Sequence, residues 1–317
     1  MRFAKGHGTE NDFVILLDPE DSGGLTAGLA ARLCDRRAGI GADGVLRAVR
    51  CAAYGAAGVS GAVSGPAGAA GPDGRGDRAA GPAGGAAGPE WFMDYRNADG
   101  SVAEMCGNGI RVFARYLVRH GLAASPEFTV GTRSGPRRIR MGADAGVTVE
   151  MGAVAVLGPG NAVIGGETYP GLRVSVGNPH LACLVDVPLA SFDLSRAPEL
   201  DPGQFPGGGN VELVRVTGPR SVAMRVHERG SGETRSCGTG AVAAAAAAAA
   251  ASGSGDGAWE VSVPGGALTV APAAGRAWLT GPAVIVAEGE LDPSWLTGPA
   301  ASLRDHADLA PPRYQMP

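Results

Sequence analysis

Apolar and polar residues alternate in short runs along this chain, and such alternation is typical of strands with one buried face. The alternation is clearest over residues 13–17, 211–216 and 221–227. Shorter runs of the same kind predict further strands at residues 92–95, 147–151, 172–176, 181–185, 261–263 and 284–286. Strands are therefore expected to outnumber helices.

Helical spacing of apolar residues is less frequent and predicts three helices. The third of them begins after Cys237 and carries the alanine-rich residues 241–251, because alanine has the highest helix propensity. The apolar positions of the first two are Leu25, Leu29 and Leu33, and Ile110, Phe113 and Leu117.

Residues 55–89 interrupt this pattern, since nearly every third residue is glycine and most others are alanine or proline. The segment has almost no side chains that could build a core, so we expect a disordered insertion. A collagen-like triple helix is not favoured, because the glycine rhythm slips after Gly61 and again at Gly74.

The overall charge argues against a nucleic-acid partner. The formal net charge is -4 over 317 residues, and the basic residues are scattered rather than gathered along a stripe. The first residues lack the apolar stretch of a secretory signal, so a cytoplasmic protein is expected. The alanine run 241–251 is too short to span a membrane, and no membrane association is expected.

The chain has five cysteines, without CxxC spacing or a neighbouring histidine pair. Neither a zinc site nor a disulfide framework is therefore expected, and no metal is predicted. Lys5 is the only lysine. A pyridoxal phosphate enzyme forms a Schiff base with a lysine, so amine chemistry here would have to use Lys5 or proceed without that cofactor.

Two cysteines stand in similar turns, Cys-Gly-Asn-Gly from Cys106 and Cys-Gly-Thr-Gly from Cys237, which are 131 residues apart. Each turn precedes a predicted helix, where unpaired backbone N–H groups favour a thiolate over a thiol. Such N–H groups also bind carboxylates. The spacing suggests two similar domains, each with a reactive cysteine at a helix start.

Several motifs in order resemble those of the diaminopimelate epimerase family. The resemblance extends over most of the chain and is closest around the two cysteines. The motifs are GTENDFV (8–14), RAGIGADG (37–44), YRNADGSVAEMCGNG (95–109), GNPH (177–180), FPGGGNVE (205–212) and ERGSGETRSCGTG (228–240).

The resemblance implies an α/β (α+β) fold of two pseudo-symmetric domains, each a mixed sheet wrapped round a central helix. The domains would cover residues 1–150 and 151–282, with a last strand at 283–290 returning to the first domain and a tail at 291–317. The implied activity is interconversion of LL- and meso-diaminopimelate without a cofactor. A homodimer acting on a small amino acid is expected.

The resemblance also implies roles for individual residues. Cys106 and Cys237 would be the acid and base on opposite faces of the substrate, and His180 would tune a thiol. Backbone N–H groups at the helix starts would hold the α-carboxylate; these residues are Gly107, Asn108, Gly238 and Thr239. The remaining substrate contacts would come from Asn11, Asn97, Asn178, Asn210, Glu228 and Arg229.

Three other interpretations are left open by the sequence. The chain could be an epimerase or racemase of another amino acid on the same fold. It could instead be a redox protein that uses a disulfide between Cys106 and Cys237, which would function without amino-acid turnover. A non-catalytic amino-acid binding protein is the third, although binding alone does not need both thiols.

Overall fold

The computed structural model describes residues 1–54, 88–142, 146–254 and 257–297. The predicted insertion at 55–89 therefore lies outside the described residues except for its last two positions, and so does the tail after residue 297. Within the described ranges, no helix has both the length and the apolarity needed to cross a membrane.

The first half of the chain forms one side of a continuous sheet. Its strands are β1 (Arg2–Gly8), β2 (Asn11–Leu17), β3 (Gly44–Arg50), β4 (Trp91–Asn97), β5 (Glu127–Gly131), β6 (Arg137–Met141) and β7 (Gly146–Ala153). Each strand pairs with the next. The pairs β2–β3 and β4–β5 are parallel, and the others are antiparallel.

The second half supplies the other side. Its strands are β8 (Ala155–Ile164), β9 (Glu167–Ser175), β10 (Pro179–Leu184), β11 (Glu199–Leu200), β12 (Asn210–Gly218), β13 (Ser221–Glu228), β14 (Gly232–Thr234), β15 (Trp259–Val263), β16 (Gly266–Ala273), β17 (Arg276–Pro282) and β18 (Val284–Glu290). β17 pairs with β7 and joins the two sides, while β18 returns to pair with β1.

The two sides repeat one pairing scheme. β9 and β10 are antiparallel like β1 and β2, and β10 then pairs parallel with β12 as β2 does with β3. The parallel pair β13–β15 likewise matches β4–β5. β8 borders β9 as β18 borders β1. The predicted α+β fold of two pseudo-symmetric parts is thus confirmed.

Helices fill the two sides of the sheet. The helices are α1 (Ala27–Cys34), α2 (Gly107–Arg119), α3 (Gly238–Ser252) and the short α4 (Pro293–Thr297), with a 3-10 turn at Leu189–Ser191. A parallel strand pair needs a long crossover connection. α2 makes the crossover from β4 to β5, and α3 makes the corresponding crossover from β13 to β15. All three predicted helices are confirmed.

The two central helices fill their surroundings in different ways. α2 buries large side chains, among them Ile110, Phe113 and Leu117, against β1, β2 and β7. α3 buries almost only alanine methyl groups, from Ala241 through Ala248, against β10, β12 and β13. Little side-chain volume therefore separates α3 from the strands, whereas large side chains lie between α2 and its strands.

The predicted strands are present. The structure also has strands, such as β8, whose sequences lack the alternation from which a strand can be predicted. β8 reads AVLGPGNAVI, in which a proline and two glycines interrupt the pattern. β3 is buried at six of its seven residues, including Arg47, so exposed positions do not alternate with buried ones. At the other end, Leu291 is buried and Trp295 Nε1 donates to Ala38 O at 3.1 Å, so the start of the predicted tail packs against the fold.

Candidate active site

Each of the two predicted cysteines is the N-cap residue of a central helix. Cys106 caps α2, and its Sγ accepts a hydrogen bond from Gly109 N at 3.3 Å. Cys237 caps α3, and its Sγ accepts from Gly240 N at 3.4 Å. Little space is left for a larger residue at either glycine, since a Cβ on Gly109 would lie 3.1 Å from Leu46 Cδ2 and one on Gly240 would lie 2.7 Å from Glu212 Oε1.

The two helix starts face each other. A Cβ built on Gly238 would lie 2.9 Å from Gly107 Cα, so only glycine at both positions allows this approach. A hydrogen bond also joins the two cysteine turns, since Asn108 Nδ2 donates to Ser236 O at 2.9 Å. Cys106 and Cys237, which are far apart in sequence, therefore lie at two helix starts that are in contact with each other.

Polar residues of the first half surround Cys106. Asn11 accepts from Asn108 Nδ2 at 3.2 Å through its Oδ1, which also lies 3.8 Å from Cys106 Sγ. Asn11 Nδ2 donates to Asp43 Oδ2 at 2.7 Å, and this contact fixes the orientation of the amide. Two of the predicted substrate residues, Asn11 and Asn108, are therefore in contact beside one thiol.

A chain of polar contacts from the second half reaches Cys237. Its Sγ lies 3.5 Å from Thr239 Oγ1, which accepts from Asn178 Nδ2 at 3.4 Å. Asn178 Oδ1 lies 3.0 Å from His180 Nε2, and His180 Nδ1 lies 2.7 Å from Glu212 Oε1. His180 and Glu212 are both fully buried. Parallel pairing of β10 with β12 brings these two residues together.

Glu228 lies at the end of β13 close to both thiols. It accepts a hydrogen bond from Thr234 Oγ1, and a contact with the Cys237 thiol lowers its pKa, whereas burial raises its pKa by more. The next residue, Arg229, is exposed; its N–H donates to Asn210 Oδ1 at 2.9 Å and its Nη1 donates to Gly207 O at 3.1 Å.

Asn97 is the predicted residue that the structure links least closely to the cysteines. It ends β4, and its Nδ2 donates to Ser101 Oγ at 3.0 Å within an exposed turn. Asn11, Asn178 and Glu228 contact residues of the two cysteine turns. His180 reaches the second turn only through Asn178, and Asn210 and Arg229 contact each other beside Glu228. Asn97 therefore stands in the loop that leads to Cys106, and its side chain contacts that loop rather than the cysteine turn.

The acidity of the thiols differs from the sequence-based expectation. Burial raises the pKa of Cys106 to about 11, although hydrogen bonds from the N–H groups of Gly109 and Asn108 lower it. Burial raises the pKa of Cys237 well above its usual range, and the charges of Glu228 and Glu212 raise it further. The N–H groups at the helix starts thus lower the pKa of both thiols as expected, but burial outweighs them and both thiols are less acidic than usual.

The remaining cysteines have no comparable setting. All five thiols are free, and burial raises the pKa of Cys34 to about 11 and that of Cys183 to about 12. Neither cysteine caps a helix as an N-cap residue. Lys5, the only lysine, pairs with Asp12 at 2.6 Å and also donates to Gly41 O.

Sequence reasoning missed four residues that complete the site. Thr9 Oγ1 lies 2.6 Å from Ser236 Oγ, which links the opening motif to the residue before Cys237. Glu212 holds His180, and Arg111 lies buried below the first cysteine turn. Their positions within or next to the quoted motifs were the available signal, whereas the contacts between them depend on the fold.

Comparison with known proteins gives consistent results. The family model described as "Diaminopimelate epimerase" matches residues 86–157 and 172–286. A diaminopimelate epimerase of Thermobifida fusca is 54% identical over 291 residues, which cover 92% of this chain and 98% of that protein. A diaminopimelate epimerase of Mycolicibacterium smegmatis is 51% identical over 302 residues, which cover 92% of this chain and 97% of that protein.

Solved structures share the fold at low sequence identity. A Bacillus anthracis phenazine biosynthesis protein of the PhzF family has a TM-score of 0.60 at 15% identity, covering 92% of this chain and 98% of that one. A hydroxyproline epimerase from Agrobacterium vitis also has a TM-score of 0.60 at 15% identity, covering 93% of this chain and 94% of that one. With the family model and the close relatives, these similarities establish that the chain belongs to the diaminopimelate epimerase family.

Proposed function

We propose that this protein is a diaminopimelate epimerase, an isomerase that interconverts LL- and meso-diaminopimelate. The observation that carries the proposal is the pair of cysteines that cap two facing helix starts. The identity of about half of all residues with diaminopimelate epimerases over nearly the full chain supports the same substrate. Such an activity would serve lysine and peptidoglycan precursor synthesis.

The mechanism uses one thiol on each face of the α-carbon. A thiolate at Cys106 or Cys237 takes the α-proton, and the thiol of the other cysteine donates its proton to the opposite face. Inversion results without movement of either group, and the protonation states of the two cysteines are exchanged. The reverse reaction uses the same residues in the opposite roles.

The high pKa of each thiol suits this task. An α-proton next to a carboxylate is very weakly acidic, so its removal favours a strong base. Burial makes a thiolate a stronger base by the same effect that raises the pKa of Cys106 to about 11. The N–H groups at the starts of α2 and α3 would hold the α-carboxylate and stabilise the negative charge that develops.

The remaining roles concern substrate recognition. The N–H groups of Gly107, Asn108, Gly238 and Thr239 would bind the α-carboxylate, while His180 would tune Cys237 through Asn178 and Thr239. Arg229 is exposed near Asn210 and suits the distal carboxylate of a substrate with two charged ends. The amino groups would be bound by Asn11, Asn97, Asn178, Asn210 and Glu228.

We propose that the reaction requires no cofactor. The contacts of Lys5 support this, because the amino group of the only lysine is engaged by Asp12 and Gly41 O rather than left free to form a Schiff base. The acid–base chemistry needs only the two thiols. Addition of pyridoxal phosphate to purified protein should therefore leave the rate unchanged.

The proposal extends to the organisation of the protein as a cytoplasmic homodimer. Its two domains would cover residues 1–150 and 151–282, with β18 completing the first; the repeated strand pairing supports this division. Sedimentation velocity at micromolar concentration tests the dimer. A single species with the mass of one chain would contradict it.

The deciding experiment incubates the reduced protein with LL-diaminopimelate in deuterated water. We expect the meso isomer to appear with solvent deuterium at the inverted carbon, and product to be labelled faster than recovered substrate. A panel of proline, hydroxyproline, glutamate and lysine tests whether another amino acid is the substrate. Turnover of one of these, with none of LL-diaminopimelate, would contradict the proposal.

A further inference from the structure

Arg111 is a fully buried arginine five residues after Cys106. Long side chains on a helix point back toward its N-terminus, so the guanidinium lies beneath the start of α2 rather than on an outer face. The charge is retained at neutral pH, because burial lowers the pKa of Arg111 only to about 10. A cation at this end of a helix is unfavourable by itself.

The surrounding residues are shaped to hold this guanidinium. Nη1 donates to Gly107 O at 3.1 Å, Nη2 to Thr9 Oγ1 at 3.2 Å and Nε to Pro282 O at 3.4 Å. Two glycines leave room for it, since a Cβ on Gly8 or Gly281 would approach Nη2 or Nε within 3.1 or 3.2 Å.

The contacts of Arg111 extend to both cysteine turns. Gly107 immediately follows Cys106, and Thr9 contacts Ser236, which immediately precedes Cys237. Its charge also lowers the pKa of the Cys106 thiol, against the larger effect of burial. Glu228 and Tyr95 also interact electrostatically with this thiol.

The charge of Arg111 has no anionic partner in the described part of the chain. Arg47 is also buried, but it forms ion pairs with the carboxylates of Asp18, Asp21 and Asp94. Arg111 instead donates to carbonyl and hydroxyl oxygens. Burial of an unpaired charge is costly, and an anion bound nearby reduces that cost.

We propose that Arg111 is a positioning residue whose buried charge, held beneath both cysteine turns, stabilises the Cys106 thiolate and the substrate carboxylate between the two helix starts. The inference rests on the proposed function for the identity of that carboxylate. Its effect on Cys106 does not depend on the substrate. Arg111 acts through the electric field and through the backbone of Gly107, without touching the reacting carbon.

The test compares Arg111→Met, which removes the charge, with Arg111→Lys, which keeps it. For each we would measure the pH dependence of Cys106 alkylation by iodoacetamide with peptide mass spectrometry, together with kcat and KM for LL-diaminopimelate. We expect R111M to move the alkylation profile upward by about one pH unit, a tenfold change in thiolate population, and to raise KM by about tenfold or more. R111K should keep the wild-type profile.

Arg47→Lys is the matched control, because Arg47 is also buried but binds three carboxylates away from the cysteine turns. It should lower the midpoint of thermal unfolding and leave the Cys106 profile unchanged. A folded R111M with a wild-type profile and unchanged KM would overturn the proposal. If R111M does not fold, R111K decides alone, since a profile that moves upward by about one pH unit despite the retained charge would assign the effect to contact geometry rather than charge.

The two arms separate this inference from the proposed function. A wild-type protein that does not epimerise LL-diaminopimelate would contradict the function, while the alkylation arm would still measure the effect of Arg111 on Cys106. Conversely, an active wild-type enzyme whose R111M variant shows unaltered alkylation and an unchanged KM would retain the function and refute the role of Arg111.

Discussion

The turn at Cys106 and the turn at Cys237 have the same backbone geometry in opposite halves of the molecule. Cys106 has φ -133° and ψ 118°, and Cys237 has φ -127° and ψ 120°. Both accept a hydrogen bond from the N–H group three residues later. The repeated strand pairing therefore reproduces the cap geometry closely.

The charges around the two thiols differ. Cys106 is only partly buried; the charge of Glu228 raises its pKa, and the charge of Arg111 lowers it. Cys237 is buried, and the charges of both Glu228 and Glu212 raise its pKa. The repeated scaffold therefore fixes where the two acid–base groups stand, while side chains that are not repeated set how readily each thiol holds its proton.

The largest expected effect comes from removing either thiol. Cys106→Ala and Cys237→Ala should each lower kcat for LL-to-meso conversion by at least about a thousandfold, because each direction loses either its base or its acid. The measurement is chiral chromatography of the product. Cys51→Ala is the control and should stay within about twofold of wild type. Near wild-type turnover by either variant would exclude a two-thiol mechanism.

Much of this comparison could be predicted from sequence. The Cys-Gly-x-Gly turns, the helices after them and the separation of the cysteines by roughly half the chain all indicated two related parts, and the fold has them. These features are local, so they are visible without knowledge of contacts. Strands without alternation, such as β8 with its glycines and proline, could not be found in this way.

The charges around the thiols could not be predicted, because they come from distant residues. His180 and Glu212 are brought together only by the parallel pairing of β10 with β12. Arg111 would ordinarily be placed on a solvent-facing side of its helix. The raised pKa of both cysteines follows from burial, which a helix-start motif does not reveal.

A pH profile of alkylation sharpens the comparison between the two thiols. Since the thiolate is the reactive form and the pKa of Cys106 is about 11, its rate of reaction with iodoacetamide should rise about a hundredfold from pH 7 to pH 9. Cys237 should react more slowly at each pH. In urea-unfolded protein the two profiles should coincide. A plateau below pH 9 at Cys106 in the folded protein would contradict the expected order.

Glu212→Gln tests whether a carboxylate sets the difference. Loss of its charge should lower the pKa of Cys237 and increase alkylation there about tenfold at pH 8, while Cys106 stays within about twofold. Glu233→Gln is the control. Glu233 lies in the outer strand β14 and forms an ion pair with Arg225 of β13. Equal changes at both thiols in E212Q would show that the carboxylate acts on the whole site rather than on one half.

The smallest expected effect concerns the far end of α3. Gly253 ends this helix with φ +62°, a conformation that costs other residues about 1 kcal/mol, and no atom would contact an added Cβ. Gly253→Ala should therefore lower the free energy of unfolding by about 1 kcal/mol, measured by urea denaturation, and leave kcat unchanged.

Gly28→Ala is the matched control, because Gly28 lies inside α1, where an added Cβ would meet only Thr26 Oγ1 at 3.9 Å. That substitution should stabilise the protein by about 0.5 kcal/mol, since alanine loses less backbone entropy in a helix. Opposite signs from the same substitution would isolate the backbone conformation as the cause, whereas equal signs would exclude it.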